Sequence, residues 1–97
     1  MTMHNPPHPG EFIRSIYLEP FAMSARSLAE NLAVSPSTLN RVITGKSGIS
    51  PDMALRLSKA LGRSAESWLA MQDHYDLWQA KQTVELDQVR PVEFAAA

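Results

Sequence analysis

The sequence contains no cysteine. That excludes a disulfide framework, a thiolate metal site and a cysteine nucleophile. No apolar run approaches the roughly 18 residues of a membrane span, and no signal-peptide pattern opens the chain, so a cytoplasmic protein without a membrane partner is expected. Glycine is scarce, at four of 97 residues, and no Gly-rich phosphate loop is present. The histidines His4, His8 and His74 are scattered. His74 lies near Asp73 and Asp76 without an HExxH-like spacing. Glu11 and Glu19, eight apart, do not suggest an acid–base pair, and no histidine is set to activate a serine. No catalytic residue, metal or cofactor is therefore expected, and no enzyme.

A large excess of charge of one sign is also missing, since the net charge is −1. Its distribution is uneven, however. From Ser24 to Arg63 the bases Arg26, Arg41, Lys46, Arg56, Lys59 and Arg63 face only Glu30 and Asp52. From Ser64 onward Glu66, Asp73, Asp76, Glu85, Asp87 and Glu93 face only Lys81 and Arg90. A phosphate-facing middle and a differently employed last third would produce that split. The length suits one domain with a small core, which oligomerisation would help to stabilise.

What the sequence does have is a series of helix starts and stops. Residues 1–7 carry Pro6 and Pro7 without periodicity and read as a flexible arm. His8-Pro9-Gly10-Glu11 opens a first helix with Phe12, Ile13, Ile16 and Tyr17 on one face, ended by Pro20. Ser24, Ser35, Ser50 and Ser64 each stand where a helix N-cap belongs. Pro36 and Pro51 follow two of these caps at the first helical position. Leu28, Ala29 and Leu32 mark the buried stripe of the second helix. Met53, Ala54, Leu57 and Leu61 mark that of the fourth. Gly45 and Gly62 supply stops.

The segment Ser24–Lys46 organises the rest. It reads as two short helices joined at Ala33-Val34, a helix-turn-helix whose second helix carries Leu39, Val42 and Ile43 as a narrow apolar stripe. The other faces of that helix are polar. A helix braced in this way enters a major groove about 12 Å wide. Pro36, Ser37, Thr38, Asn40 and Arg41 are the candidate base readers. Arg41 is suited to the bidentate contact with guanine, and Asn40 lies nearer the edge. Ser24, Arg26, Ser35, Thr44 and Lys46 are the candidate phosphate holders.

The fifth helix carries more apolar width than a small bundle needs. Trp68, Met71, Tyr75 and Trp78 form one stripe, with Leu69 and Leu77 beside it. Trp68, Met71, Tyr75, Leu77 and Trp78 are accordingly the expected homodimer interface. Residues 82–97 interleave Val84, Leu86, Val89, Val92 and Phe94 with polar residues, and Pro91 interrupts them. An extended tail or short strand is expected there. Such a strand must pair with its twin, lie on a neighbouring surface or await a partner.

Ser24–Lys46 resembles the helix-turn-helix of the phage-repressor (Cro/C1, XRE) class. A longer pattern resembles the HigA/VapI-type antitoxins of type II toxin–antitoxin systems. It comprises His8-Pro9-Gly10-Glu11, Leu18-Glu19-Pro20, Leu28-Ala29, Val34-Ser35, Gly45-Lys46, Ile49-Ser50, Met53-Ala54-Leu55-Arg56-Leu57, Trp68-Leu69, and Gln72 followed by Tyr75-Asp76-Leu77-Trp78. The resemblance covers residues 8–81. It implies an all-α, five-helix lambda-repressor-like domain for DNA binding and dimerisation. It also implies a homodimer on double-stranded operator DNA that represses its own operon, and a cognate HigB-like toxin that is a ribosome-dependent mRNA endonuclease. Two positions depart from the class: Ala25 stands where Gln is frequent, and Ala33 where the turn often has Gly. Left-handed backbone at Ala33 would cost about 1–2 kcal/mol. The residues leave two alternatives open, a lone helix-turn-helix regulator without a toxin and a protein-interaction module that does not bind DNA.

Overall fold

The computed structural model describes residues 5–95, all-α with five α-helices: α1 Pro9–Ile13, α2 Ala25–Leu32, α3 Pro36–Ile43, α4 Pro51–Leu61 and α5 Ala65–Thr83. The arm expected over residues 1–7 lies, for residues 1–4, outside the described residues, as do Ala96 and Ala97. The four serine caps form as the sequence implies. Ser24, Ser35, Ser50 and Ser64 each accept, through Oγ, the N–H three residues on, at 3.0–3.1 Å. Each satisfies one of the donors that a helix start leaves without an internal partner.

The first helix differs from its expected form. After Ile13 the chain continues as a π-helical turn over Arg14–Leu18, closed by the Glu19 N–H on the Arg14 carbonyl at 2.9 Å. A π turn uses i→i+5 bonds. The buried pair is therefore Ile13 and Leu18, five apart, and Ile16 is rotated outward to 47 % exposure. Phe12 and Tyr17 stay half-buried. The expected face of Phe12, Ile13, Ile16 and Tyr17 is thus corrected, because that spacing assumed 3.6 residues per turn throughout.

The core joins all five helices through Ile13, Leu28, Leu39, Leu57 and Trp68, each essentially inaccessible. The start of α1 lies directly on the backbone of α3: a methyl group at Gly10 would stand 1.9 Å from the Val42 carbonyl oxygen. Gly10 is therefore a contact surface, and α3 is seated on it. A second tie comes from Gln72, a buried polar residue on α5. Its Oε1 accepts the Ile49 N–H at 2.9 Å and its Nε2 donates to Asp76 Oδ1 at 2.9 Å. The loop after α3 is thereby fixed to α5.

Past Thr83 the chain is extended and exposed, and no strand forms among the described residues. One turn bond, Val89 N–H to the Leu86 carbonyl at 3.0 Å, interrupts it.

Candidate nucleic-acid interface

The two helices of the Ser24–Lys46 segment end in the same way. At the end of α2 the Val34 N–H bonds the Ala29 carbonyl and the Ala33 N–H bonds the Glu30 carbonyl, both at 3.1 Å. At the end of α3 the Lys46 N–H bonds the Arg41 carbonyl at 2.8 Å and the Gly45 N–H bonds the Val42 carbonyl at 3.1 Å. Both are Schellman closures, which need one left-handed residue. Gly45 takes it at φ 79° without a side-chain penalty, whereas Ala33 takes it at φ 58° with one.

Between these closures Leu39 and Val42 are buried, while Ser35, Pro36, Ser37, Thr38, Asn40 and Arg41 are exposed. The first turn of α3 carries a hydroxyl relay. Ser35 Oγ accepts the Thr38 N–H at 3.1 Å and donates to Thr38 Oγ1 at 2.8 Å, with Ser37 Oγ 3.3 Å away. Ser35 is thus committed as a cap, and the Thr38 hydroxyl, having accepted its proton, keeps its own to give outward. Arg41 is exposed one turn on and is in no ion pair among the described residues. Asn40 is also exposed.

The expected phosphate holders divide. Ser24 is an exposed cap, and Arg26 on α2 and Lys46 just past α3 are exposed cations. Thr44 is exposed, but its hydroxyl donates to the Asn40 carbonyl at 2.8 Å. In that conformation it has no proton to offer a phosphate oxygen, which can only accept. Arg56, read from the sequence as part of the basic middle, instead points its guanidinium at the turn carbonyls of Leu32 and Ala33, at 2.9 and 3.2 Å. Sequence spacing could not find this contact, because its partners are 24 and 23 residues away.

The residues expected at a dimer interface are also dispersed. Trp68 has no accessible surface: it sits in the core, flanked by Phe12 and Tyr17 at ring distances of 5.9 and 6.2 Å, with the Arg63 guanidinium 5.8 Å from its ring. Its place in the interface is corrected, since a partner cannot reach it. Met71, Tyr75 and Trp78 are half-buried and Leu77 is 56 % exposed. Tyr75 meets His8 edge-on at 5.0 Å. With Trp78 it lines a groove of about 680 Å³ whose other walls include Pro7, Thr44 and Gly45. The exposed end of α5 therefore adjoins the end of α3.

The helix-turn-helix family model matches residues 16–68 of this chain. The chain belongs to the helix-turn-helix family. Its relatives narrow the group. Virulence-associated protein I of Dichelobacter nodosus is 49 % identical over 75 residues, which cover 77 % of this chain and 69 % of that protein. The structure of an addiction module antidote protein of the HigA family from Coxiella burnetii superposes with a TM-score of 0.82 at 35 % identity, covering 92 % of this chain and all of that one. Antitoxin GraA, solved in complex with its operator, gives a TM-score of 0.81 at 35 % identity over all of this chain and 98 % of that one. This helix-turn-helix protein therefore falls among the HigA/VapI-type antitoxins, with their lambda-repressor-like fold. No helix among the described residues is long and apolar enough to cross a membrane. No cluster of His, Cys, Asp or Glu among them is suited to a metal ion.

Proposed function

We propose that this protein is an antitoxin that binds operator DNA as a homodimer, represses its own toxin–antitoxin operon and neutralises a cognate HigB-like mRNA endonuclease. The observation that carries the DNA-binding part is the first turn of α3. There Ser37 and Thr38 stand exposed, with Arg41 exposed one turn on, on a helix closed at both ends and seated on Gly10. Ser and Thr hydroxyls suit base edges or phosphates, and Arg41 suits guanine O6 and N7. Pro36 and Asn40 border that surface, and Ser24, Arg26, Ser35 and Lys46 flank it as phosphate holders, Ser35 through the start of its helix. The relative solved on its operator supports the same use of the fold. A two-fold dimer would set two such helices about 34–36 Å apart, one turn of DNA. Met71, Tyr75, Leu77 and Trp78 are the proposed dimer surface, without Trp68.

The test has two arms. Gel shift on the DNA immediately upstream of the gene reads operator binding. The Arg41→Ala variant is expected to lose about 1–3 kcal/mol of discrimination and to relax one base position. An unchanged footprint and affinity would remove Arg41 from the reading set. Co-purification with the product of the adjacent reading frame reads the toxin arm. A chain that binds the upstream DNA and no neighbouring product is a lone regulator.

A further inference from the structure

Arg56 stands in the basic middle of the sequence, where a phosphate contact would be its ordinary use. The structure employs it inward. From α4 one guanidinium nitrogen, Nη1, donates to the carbonyls of Leu32 at 2.9 Å and Ala33 at 3.2 Å. Its Nε donates to Asp52 Oδ1 at 2.6 Å, one helical turn back on α4. The two carbonyls belong to the last residue of α2 and to the left-handed residue of the turn. They lie at the negative end of the α2 dipole, where helices leave carbonyls without internal partners. No other hydrogen bond reaches either carbonyl among the described residues. The Asp52 contact orients the planar fork, so that Nη1 is aimed while Nε is held. A lysine ammonium, a point charge on a flexible stem, cannot reproduce both contacts.

The location gives this contact a consequence. Ala33 holds a backbone conformation that L-residues disfavour, in the three-residue connection Ala33–Ser35 that fixes the angle between the bracing and the reading helix. The closures of α2 hold the turn from within the segment. Arg56 holds it from outside, against a helix packed in the core through Met53, Ala54 and Leu57.

We infer that Arg56 is a positioning residue for DNA reading: it clamps the left-handed turn and so sets the pose of α3, and it is not a phosphate contact. This rests on the DNA-reading proposal above. A clamp and a phosphate contact differ in what they change. A lost phosphate contact weakens all DNA alike and lowers the salt slope by about 0.9. A lost clamp leaves the slope nearly intact and erodes the preference for one sequence over another.

The experiment compares two duplexes of equal length, one carrying the DNA immediately upstream of the gene and one a scrambled version. Affinities of the wild type, Arg56→Ala, Arg56→Lys and Ala33→Gly/Arg56→Ala are measured across a salt series. Melting curves monitor folding. Arg56→Ala is expected to reduce the ratio of specific to scrambled affinity about tenfold, the scale of hydrogen bonds to a charged group, with scrambled affinity unchanged. Arg56→Lys is expected to behave like Arg56→Ala despite its charge. Adding Ala33→Gly is expected to restore most of the ratio, because glycine holds the left-handed turn unaided. That variant also keeps the test readable if Arg56→Ala alone folds poorly. A wild-type ratio in Arg56→Lys overturns the clamp. So does an equal loss on both duplexes with a reduced salt slope, or a failure of Ala33→Gly to rescue. A wild type that does not distinguish the duplexes overturns the DNA-reading proposal itself, and that result is visible before any variant is compared.

Discussion

The segment from Ser24 to Lys46 and the segment from Tyr75 to Ala95 are built on opposite terms. In the first, both helix starts are capped by serine, both ends are closed by backbone bonds, and the turn carbonyls are taken by Arg56. Its large apolar residues Leu28, Leu32, Leu39 and Val42 are buried, and Val34 and Ile43 are half-buried. In the second, Leu77, Val84, Leu86, Val89, Val92 and Phe94 are 56–89 % exposed, and the backbone past Thr83 bonds to little. The first is complete within one copy of the chain. The second leaves open large apolar side chains that a partner surface could cover. The proposed function assigns reading to the first unit and association to the second.

The rigidity of the first segment can be broken most severely at Gly10. Its Cβ position is filled by the Val42 carbonyl. Gly10→Ala must displace either α1 or α3. We expect a loss of about 3 kcal/mol or more in urea or thermal unfolding, beyond the usual cost of overpacking because the obstacle is backbone. A variant with wild-type stability would show that α1 does not seat α3.

The second segment is tested at Trp78. Trp78→Asp is expected to weaken the proposed dimer by about 2–3 kcal/mol, on the scale of an aromatic hot spot, while leaving monomer unfolding nearly unchanged. Sedimentation at several concentrations checks it, and a stable dimer would move the interface away from α5. Between the two segments lies Gln72. Gln72→Ala leaves the buried Ile49 N–H without its acceptor. A loss of about 1–2 kcal/mol follows, read as a melting shift of several degrees. An unchanged melt would show that another acceptor replaces it.

The contrast also explains what could be read in the sequence. Caps, helical prolines and stripes are local, repeating at three or four residues, and Ser24, Ser35, Ser50 and Ser64 all perform as their spacing implies. The π turn was not legible, because five-residue bonding leaves no distinct apolar period over so short a stretch; it turned Ile16 outward and brought in Leu18. Gln72 and Arg56 were illegible for another reason. Each was an ordinary polar side chain on a helix until partners 23 or 24 residues away were brought beside it. Trp68 shows the converse. It shares a helical stripe with Tyr75 and Trp78, yet the body of the domain covers only its end of α5, so one stripe serves core and surface in turn.

The smallest effect is expected at His8, where the two segments touch. Its Nδ1 accepts the Gly10 N–H at 2.9 Å and so caps α1, which requires that nitrogen to be unprotonated. The ring meets Tyr75 of α5 edge-on and lies beside Gly45, just past α3. Burial lowers its pKa from 6.5, opposed by the charges of Asp76 and Glu11. The unfolded chain therefore takes up a proton at a higher pH than the folded one. The contribution to stability is complete above the unfolded value of 6.5. It falls as pH drops from there toward the folded pKa, and levels off below it. Melting temperatures recorded between pH 8 and pH 5, conditions about the ordinary histidine pKa, should show that decline. His8→Asn, which keeps a capping side chain without a titrating ring, should flatten it. An equal decline in both proteins would assign the pH dependence elsewhere and leave His8 a cap that protonation does not disturb.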